Sequence, residues 1–236
     1  MDILNFSPKK IGLSNNQLKI IAMIAMLIDH IGAYLFPEVM ILRIIGRLAF
    51  PIFVFMIAEG CFYTKNRLKY LLHLLILGLG CQVVYFFFMD SLYMGILITF
   101  SLSIITIYAI DYYLENKSLI SIILMFITIL GVSYLTGVLP SIYKEHDYMF
   151  DYGIIGVFTP VFIYYSKFKL IKLITLAILL ILLSVYYDTP QILYSLVSIP
   201  LLLLYNNTRG KYKLKYLFYI FYPLHLIIIY LIGLLI

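Results

Sequence analysis

The sequence predicts an all-α, polytopic integral membrane protein with about nine transmembrane helices, a cytoplasmic N-terminus and a C-terminus outside. Hydrophobic residues make up 64% of its 236 residues and charged residues only 12%, a composition that excludes an ordinary soluble core. Apolar runs near the roughly 20 residues that a spanning helix needs recur along the chain. Lys and Arg gather in alternate loops, the pattern that fixes the orientation of membrane proteins.

A polar segment precedes the first apolar run. Residues 1–17 are interpreted as a cytoplasmic lead-in, in which Ser14 and the two asparagines after it can cap a helix, and residues 18–236 as a single integral membrane domain. The predicted spans are Leu18–Phe36, Met40–Phe62, Tyr70–Met89, Leu92–Tyr112, Leu119–Leu139, Tyr152–Tyr165, Leu170–Tyr187, Ile192–Tyr205 and Tyr216–Ile236. The sixth and eighth are shorter than the usual range of roughly 17–25 residues, so charge placement decides in their favour.

Charge placement is asymmetric under this topology. Fourteen of the 17 Lys and Arg residues lie at the cytoplasmic ends of the spans, Lys9, Lys10 and Lys213 among them, whereas the outside loops hold only Lys144 together with most of the acids. The net charge of +6 therefore reflects membrane topology, and we expect a lipid bilayer of the plasma membrane and no nucleic acid as partner.

The longest outside loop and the two cysteines also need an interpretation. The longest outside loop, Pro140 to Asp151, contains His146 and is acidic and aromatic. We favour a solvated connector there over an entry for substrate. Cys61 and Cys81 lack metal-ligand spacing and are interpreted as packing residues.

Ionisable residues inside the first two spans predict a functional site. Asp29 and His30 lie well within the first apolar run, where a charged group costs roughly 2.5–3.5 kcal/mol or more on insertion scales. Arg43 and Arg47 lie in the outer half of the second, four residues apart and therefore on one helix face. We expect Asp29 to be the nearest carboxylate to these arginines, with Glu59 as a second candidate acid.

The last span adds a histidine at about the same depth. Tyr222, Pro223 and His225 lie in the run FYIFYPLHL, although His225 taken alone could equally be a hydrogen-bonded packing residue. Lys19 precedes His30 by eleven residues, which is about three turns and roughly 16 Å along nearly the same face. Such a site fits a proton-coupled transporter, a channel or an enzyme that moves a group across the bilayer; an inactive assembly subunit would leave the buried charges unexplained.

Four strings carry a resemblance to a known family. They are DHIG in the first span, RIIGRLAFPIFVFMIAEGCFYTKNRLKYL from Arg43, YGIIGVFTP from Tyr152, and FYIFYPLHL. Together they resemble the TraX family, the membrane acetyltransferase type named for the enzyme that acetylates conjugative pilin. More distantly, Lys19 and His30 are similar to the basic-x10-His pattern of the acyltransferase-3 superfamily, with Lys in place of its arginine.

The resemblance implies an acetyltransferase that uses acetyl-CoA as donor substrate and no metal. The phosphates of the donor would be bound by four basic residues, Lys19, Lys65, Arg67 and Lys69. Its thioester would reach His30, which would act as general base or transient acyl carrier. Asp29 would support it, and Arg43 or Arg47 would stabilise the oxyanion.

Two residues and the acceptor complete the hypothesis. His225 and Tyr222 would orient the acceptor or relay a proton. The acceptor would be an extracytoplasmic amine or hydroxyl, such as a protein N-terminus or a glycan. The alternative function is a small proton-coupled transporter or flippase that uses the same buried Asp, His and Arg residues.

Overall fold

The computed structural model describes residues 11–144, 147–211 and 214–235. The described residues form helices and connecting segments, with isolated bridges at Leu13–Tyr205 and Met94–Phe150. Four residues named in the predictions lie outside the described residues: Lys9, Lys10, His146 and Lys213. The all-helical class is therefore confirmed for the part of the chain that is described.

Eleven α-helices follow one another along this part of the chain. A π-helical segment, Tyr134–Val138, separates α6 from α7, and a 3-10 helix, Pro190–Val197, precedes α10. The helices are α1 (Asn15–Tyr34), α2 (Met40–Gly46), α3 (Ala49–Tyr63), α4 (Arg67–Met89), α5 (Ile96–Asn116), α6 (Leu119–Ser133), α7 (Leu139–Ile142), α8 (Gly153–Tyr165), α9 (Lys169–Tyr186), α10 (Ser198–Leu203) and α11 (Lys215–Gly233).

Six helical stretches are long and apolar enough to cross a membrane. They are Asn15–Tyr34, Met40–Tyr63, Arg67–Phe87, Ile96–Asn116, Leu119–Ile142 and Lys169–Tyr186. Shorter apolar helices at Gly153–Tyr165, Pro190–Leu203 and Ile220–Gly233 occupy the positions of the other three predicted segments. The membrane class is thus supported, whereas the count of nine crossings and their orientation stay predictions.

Most basic residues of the loops meet at one end of the helices. This basic end contains Lys69 and Arg209 around one depression of the surface and Lys167, Lys169 and Lys172 around the next. The opposite end, here called the cleft end, is formed by residues 90–95, 147–152 and 187–192. Successive helices run back and forth between these two ends.

The 3-10 helix lengthens one of the short segments. A 3-10 helix rises about 2.0 Å per residue and an α-helix about 1.5 Å, so eight 3-10 residues and six α-helical ones reach about 25 Å. The segment begins at Pro190 in the cleft end and leads to Tyr205, whose carbonyl accepts a hydrogen bond from Lys169 Nζ at the basic end. Fourteen residues therefore join the two ends.

The second predicted span is two helices. α2 ends at Gly46 and α3 begins at Ala49, so the expectation of one continuous helix is wrong at Arg47 and Leu48. Pro51 explains the break, because its nitrogen has no hydrogen for the carbonyl of Arg47 and its ring crowds that carbonyl. The amide of Leu48 instead bonds the carbonyl of Ile45, three residues back.

The other boundary differences are small but matter for the site. α1 begins at Asn15, where Ser14 forms a capping box with Gln17, and this confirms the predicted cap. α5 begins at Ile96 instead of Leu92. Residues 90–95 are consequently free to form part of the wall at the cleft end.

Candidate active site

The imidazoles of His30 and His225 form a hydrogen-bonded pair between α1 and α11. His30 Nδ1 lies 2.7 Å from His225 Nε2, and the two rings are nearly parallel at 4°. The ring of Phe221 stacks on His225, and the ring of Tyr222 meets it edge-on. His225 is buried, whereas His30 remains partly open to a cleft. The structure thus brings together the two histidines that the sequence placed at one depth.

Hydrogen bonding determines the tautomer of this pair. His225 Nδ1 lies 2.8 Å from the carbonyl oxygen of Phe221, which can only accept, so Nδ1 carries the hydrogen. The Nε2 atom of a neutral His225 is then an acceptor, and His30 Nδ1 must donate to it. The remaining ring nitrogen of His30, Nε2, keeps its lone pair. This nitrogen has the protonation state that a general base or a nucleophile needs.

Asp29 binds Arg43 and makes no bond to its neighbour His30. Arg43 Nη1 lies 2.8 Å from Asp29 Oδ2 and also donates to the Asp29 backbone carbonyl at 3.1 Å. The other carboxylate oxygen, Oδ1, packs against Gly46, where a Cβ atom would collide with the Asp29 side chain. Gly46 therefore permits the close approach of α1 and α2, and the predicted Asp29–Arg43 contact is present.

Arg47 and Glu59 have other neighbours. Arg47 lines the same cleft as Arg43 and is close to Tyr152, which begins the segment leading into α8. Glu59 does not contact either arginine, because Lys172 of α9 binds it at 2.7 Å. The prediction of Glu59 as a second acid for the arginines is therefore wrong, while Arg47 faces the cleft as its spacing from Arg43 implied.

A wide cleft opens from the histidine pair toward the cleft end. Its volume is about 720 Å³. It is lined by five of the predicted site residues, Asp29, His30, Arg43, Arg47 and Tyr222. Further tyrosines and acids complete the lining, among them Tyr34, Tyr85, Tyr93, Asp147, Asp151, Tyr152 and Tyr187. The cleft therefore presents bases, acids and aromatic hydroxyls to whatever enters it.

The last residues of the outside loop are a wall of this cleft. Asp151 is half-buried and lines the cleft, its carboxylate accepts a hydrogen bond from the Tyr93 hydroxyl at 2.8 Å, and its backbone pairs with Met94. Residues 141–144 and 147 of this loop are exposed, as a solvated connector implies, whereas Phe150 and Asp151 pack into the wall of the cleft. Burial raises the pKa of Asp151 to about 6, and the Tyr93 hydroxyl and the Arg47 guanidinium partly oppose this shift.

A narrow apolar channel approaches the histidine pair from the other side. It has a volume of about 210 Å³ and runs from Asn15, Lys19 and Arg209 to Phe221 and Tyr222. Its walls are mostly apolar and include Met23, Met26, Phe53, Met56, Leu74, Leu97 and Phe100. Tyr222 borders both the channel and the cleft, so its ring, which packs against His225, lies at the boundary between the two cavities.

A polar vestibule continues the channel at the basic end. It has a volume of about 530 Å³ and shares Asn15, Tyr70 and Arg209 with the channel mouth. Its remaining lining is polar and aromatic and includes Glu59, Tyr63, Asn66, Lys69, His73 and Tyr205. Vestibule, channel and cleft follow one another along the length of the molecule.

The four predicted phosphate-binding residues do not all reach this path. Lys19 lies at the channel mouth and Lys69 lines the vestibule. Arg67 is bound elsewhere, with Nη2 at 2.9 Å from Asp111 and Nη1 at 3.5 Å from Glu115. Lys65 lines none of the three described cavities.

Two residues at these cavities were missed by the sequence reasoning. Arg209 was counted among the loop bases, yet it lines both the vestibule and the channel mouth beside Lys19. Asp151 was counted among the outside acids. Its one sequence signal was its position directly before the string YGIIGVFTP, which carries part of the family resemblance.

The fold and the site define a polytopic helical membrane protein with a histidine pair between two cavities that open at opposite ends. A model of the family described as TraX protein matches residues 14–233. The chain belongs to the TraX family.

Two curated relatives and the solved structures complete the comparison. A protein of Dichelobacter nodosus named "probable fimbrial assembly protein FimC, serogroup H1" is 29% identical to this chain and covers 92% of it and 95% of its own length. An uncharacterized protein of Rickettsia prowazekii (strain Madrid E) is 41% identical over 83 residues, 33% of each chain. No solved structure gives a significant match.

Proposed function

We propose that this protein is a membrane-embedded acetyltransferase of the plasma membrane. It takes an acetyl group from acetyl-CoA at the basic end and transfers it to an amine or hydroxyl at the cleft end. The basic end is cytoplasmic in this proposal, because Lys and Arg favour the cytoplasmic side of membrane proteins. His30 is the general base.

One observation carries the proposal: Tyr222 borders both the channel and the cleft, beside a histidine pair whose hydrogen bonding leaves Nε2 of a neutral His30 with its lone pair. A donor and an acceptor that enter from opposite ends can therefore meet at one base without either crossing the membrane. A transporter needs a path for its solute through this junction, whereas group transfer needs only contact there.

The shape of the path supports a donor such as acetyl-CoA. The vestibule offers Lys69, Arg209 and the tyrosine rings of Tyr63 and Tyr205 to a phosphorylated nucleotide. The narrow channel offers apolar walls to the extended pantetheine arm. Lys19 at the channel mouth lies eleven helical residues, roughly 16 Å, from His30. The thioester carbon is thereby brought to the histidine pair.

The transfer itself needs one base and one proton path. The acceptor nitrogen or oxygen attacks the acetyl carbonyl carbon, the C–S bond breaks, and His30 Nε2 takes the acceptor's proton and passes it to the departing thiolate. His225 stabilises the His30 imidazolium through the Nδ1 hydrogen bond. General base catalysis of this kind is typically worth about 10²–10⁴-fold.

Arg43 and Arg47 have distinct roles in this mechanism. Arg43 is held by Asp29 and fixes the position of α2 beside the site. Arg47 is the arginine that is not engaged with Asp29 by a hydrogen bond, and we assign to it the stabilisation of the carbonyl oxyanion. The acceptor is a surface-exposed amine or hydroxyl; the name of the Dichelobacter relative favours a surface protein among these.

The test uses purified protein in sealed vesicles supplied with radiolabelled acetyl-CoA and a membrane extract as acceptor. The wild type is expected to release CoA and label the acceptor, and His30→Ala to lose both activities by about 10²-fold or more. Circular dichroism and gel filtration of the variant check that it remains folded. If the wild type neither binds nor cleaves acetyl-CoA but moves protons or a solute across the vesicle, the transporter function replaces this one.

A further inference from the structure

We propose that Asp151 is the residue that binds the reacting group of the acceptor, accepting a hydrogen bond from its N–H or O–H before His30 activates it. This role rests on the proposed acetyltransferase function. It adds a second acid–base group on the acceptor's side of the histidine pair, from a loop that had no predicted role.

Asp151 and His30 line the same cleft from different parts of the chain. The Asp151 side chain comes from the segment before α8 and not from α1 or α2. A group that enters the cleft toward His30 therefore meets this carboxylate as well as the two arginines. Phe150 beside it is buried, whereas Asp147 and Met149 are exposed, so the segment packs through Phe150 and places the Asp151 side chain at the cleft.

Hydrogen bonds to the backbone of Asp151 hold it in position. Its amide donates to the Met94 carbonyl at 2.9 Å, and its own carbonyl accepts from the Thr99 hydroxyl at 3.0 Å. The backbone is thus fixed without any help from the side chain. The carboxylate accepts a hydrogen bond from the Tyr93 hydroxyl at Oδ1, and a carboxylate can accept about four hydrogen bonds.

The charged and titratable neighbours of Asp151 come from every wall of the cleft. They are Tyr93 before α5, Arg47 between α2 and α3, Asp29 and Tyr34 of α1, Arg43 of α2, Tyr85 of α4, Tyr152 beside it, Tyr187 after α9 and Tyr222 of α11. Two arginines balance Asp29 and Asp151, and Asp147 adds one further carboxylate to the lining of the cleft. A neutral amine or hydroxyl can approach Asp151 there without repulsion.

The acceptor's proton passes to a stated group at each stage of the step. A neutral acceptor donates its X–H to the Asp151 carboxylate and to His30 Nε2 in turn, and the proton leaves with the CoA thiol. An acceptor that arrives as an ammonium first gives its extra proton to Asp151, which becomes a carboxylic acid and releases that proton to the water of the open cleft. The pKa of Asp151, raised to about 6, suits both roles near neutral pH.

The experiment compares Asp151→Asn with Asp188→Asn and Tyr93→Phe in vesicle-reconstituted protein. Asp151→Asn keeps an oxygen for the Tyr93 hydroxyl but loses the negative charge. Asp188 is an exposed acid at the cleft end that does not line the cleft, and its backbone φ of 47° suits Asn. CoA release from acetyl-CoA is measured with alaninamide as the amine probe, methyl glucoside as the hydroxyl probe, and water alone as background.

The expected result separates the acceptor from the donor. Asp151→Asn lowers probe-dependent CoA release about tenfold or more, as expected when a hydrogen bond to a charged group is lost, and leaves the KM for acetyl-CoA unchanged. Asp188→Asn stays within about twofold of the wild type. Equal activity of Asp151→Asn and wild type overturns the assignment, and so does a wild type that neither probe accelerates.

A pH profile gives a readout that a purely structural Asp151 would not move. Activity should fall as the pH drops through the pKa of Asp151, because the carboxylate is then protonated. Since the Tyr93 hydroxyl lowers that pKa, Tyr93→Phe should move the acidic limb of the profile to higher pH. An unmoved limb overturns the role of Asp151, whereas loss of all CoA release from the wild type overturns the acetyltransferase function itself.

Discussion

Nδ1 of His30 lies 2.7 Å from Nε2 of His225, and this contact joins the first and the last helix of the described chain. The Phe221 carbonyl holds the hydrogen on the far side of His225, so the direction of the hydrogen bond between the two histidines follows from a backbone atom. Neither histidine alone could define the free nitrogen of His30.

Replacing His225 should therefore impair His30. His225→Phe keeps an aromatic ring between Phe221 and His30 but removes the acceptor for His30 Nδ1–H, so either tautomer of His30 becomes available. We expect a loss of transfer of about 10²-fold or more, with the KM for acetyl-CoA little changed. His225→Gln, whose carbonyl can accept the same hydrogen bond, should recover part of the activity. Equal activity of Phe and Gln variants would show that His225 serves packing alone.

The contact between Asp29 and Gly46 predicts a steric effect on stability. A Cβ atom on Gly46 collides with the Asp29 side chain, so Gly46→Ala should separate α1 from α2 and cost about 1–3 kcal/mol, as overpacked cores do. Gly131→Ala is the matched control, because no atom lies within 4 Å of the added Cβ. Denaturant unfolding in detergent measures both. A Gly46→Ala variant as stable as Gly131→Ala contradicts the close approach.

Narrowing the apolar channel should weaken the binding of acetyl-CoA. Met26 lines the channel and Ile24 lies on the exposed face of the same helix. Met26→Trp is expected to raise the KM for acetyl-CoA about tenfold or more, because the added ring occupies the path of the pantetheine arm. Ile24→Trp should leave it unchanged. Kinetics at several donor concentrations compare the two, and equal KM values would remove the channel from the donor path.

The basic residues should differ in their contribution to acetyl-CoA binding, and those at the channel mouth should contribute most. Lys19→Gln and Arg209→Gln are each expected to weaken acetyl-CoA binding about tenfold, with a smaller effect at high salt, because both line the mouth of the channel. Isothermal titration at two ionic strengths measures this.

Arg67→Gln should behave differently. Arg67 is bound to Asp111 and Glu115, so its loss should lower the thermal unfolding midpoint and leave donor affinity within about twofold. Weakened acetyl-CoA binding by Arg67→Gln at unchanged stability would restore its predicted role as a phosphate ligand.

The sequence predicted the helices and the depth of the site well. Helix positions depend on local composition and capping, and Ser14 caps α1 as its sequence implied. Depth follows from residue counting along a helix, which placed His30, Arg43 and His225 at overlapping levels. Pro51 was recognised as a perturbation, but the full break at Arg47 and Leu48 was not.

Contacts between distant segments could not be predicted in the same way. Glu59 is an acid in the same predicted span as the arginines, yet Lys172 of α9 binds it, because helix packing decides which faces meet. Arg67 was assigned to phosphate and is bound to Asp111 for the same reason.

By itself the sequence determined an all-helical membrane protein with a basic end and a buried Asp-His pair, since composition and periodicity are properties of local stretches. Only the tertiary structure decided that His225 orients the His30 imidazole, that Arg209 joins Lys19, and that Asp151 lies within the cleft. Each of these depends on residues far apart in sequence, whose meeting is determined by how whole helices pack.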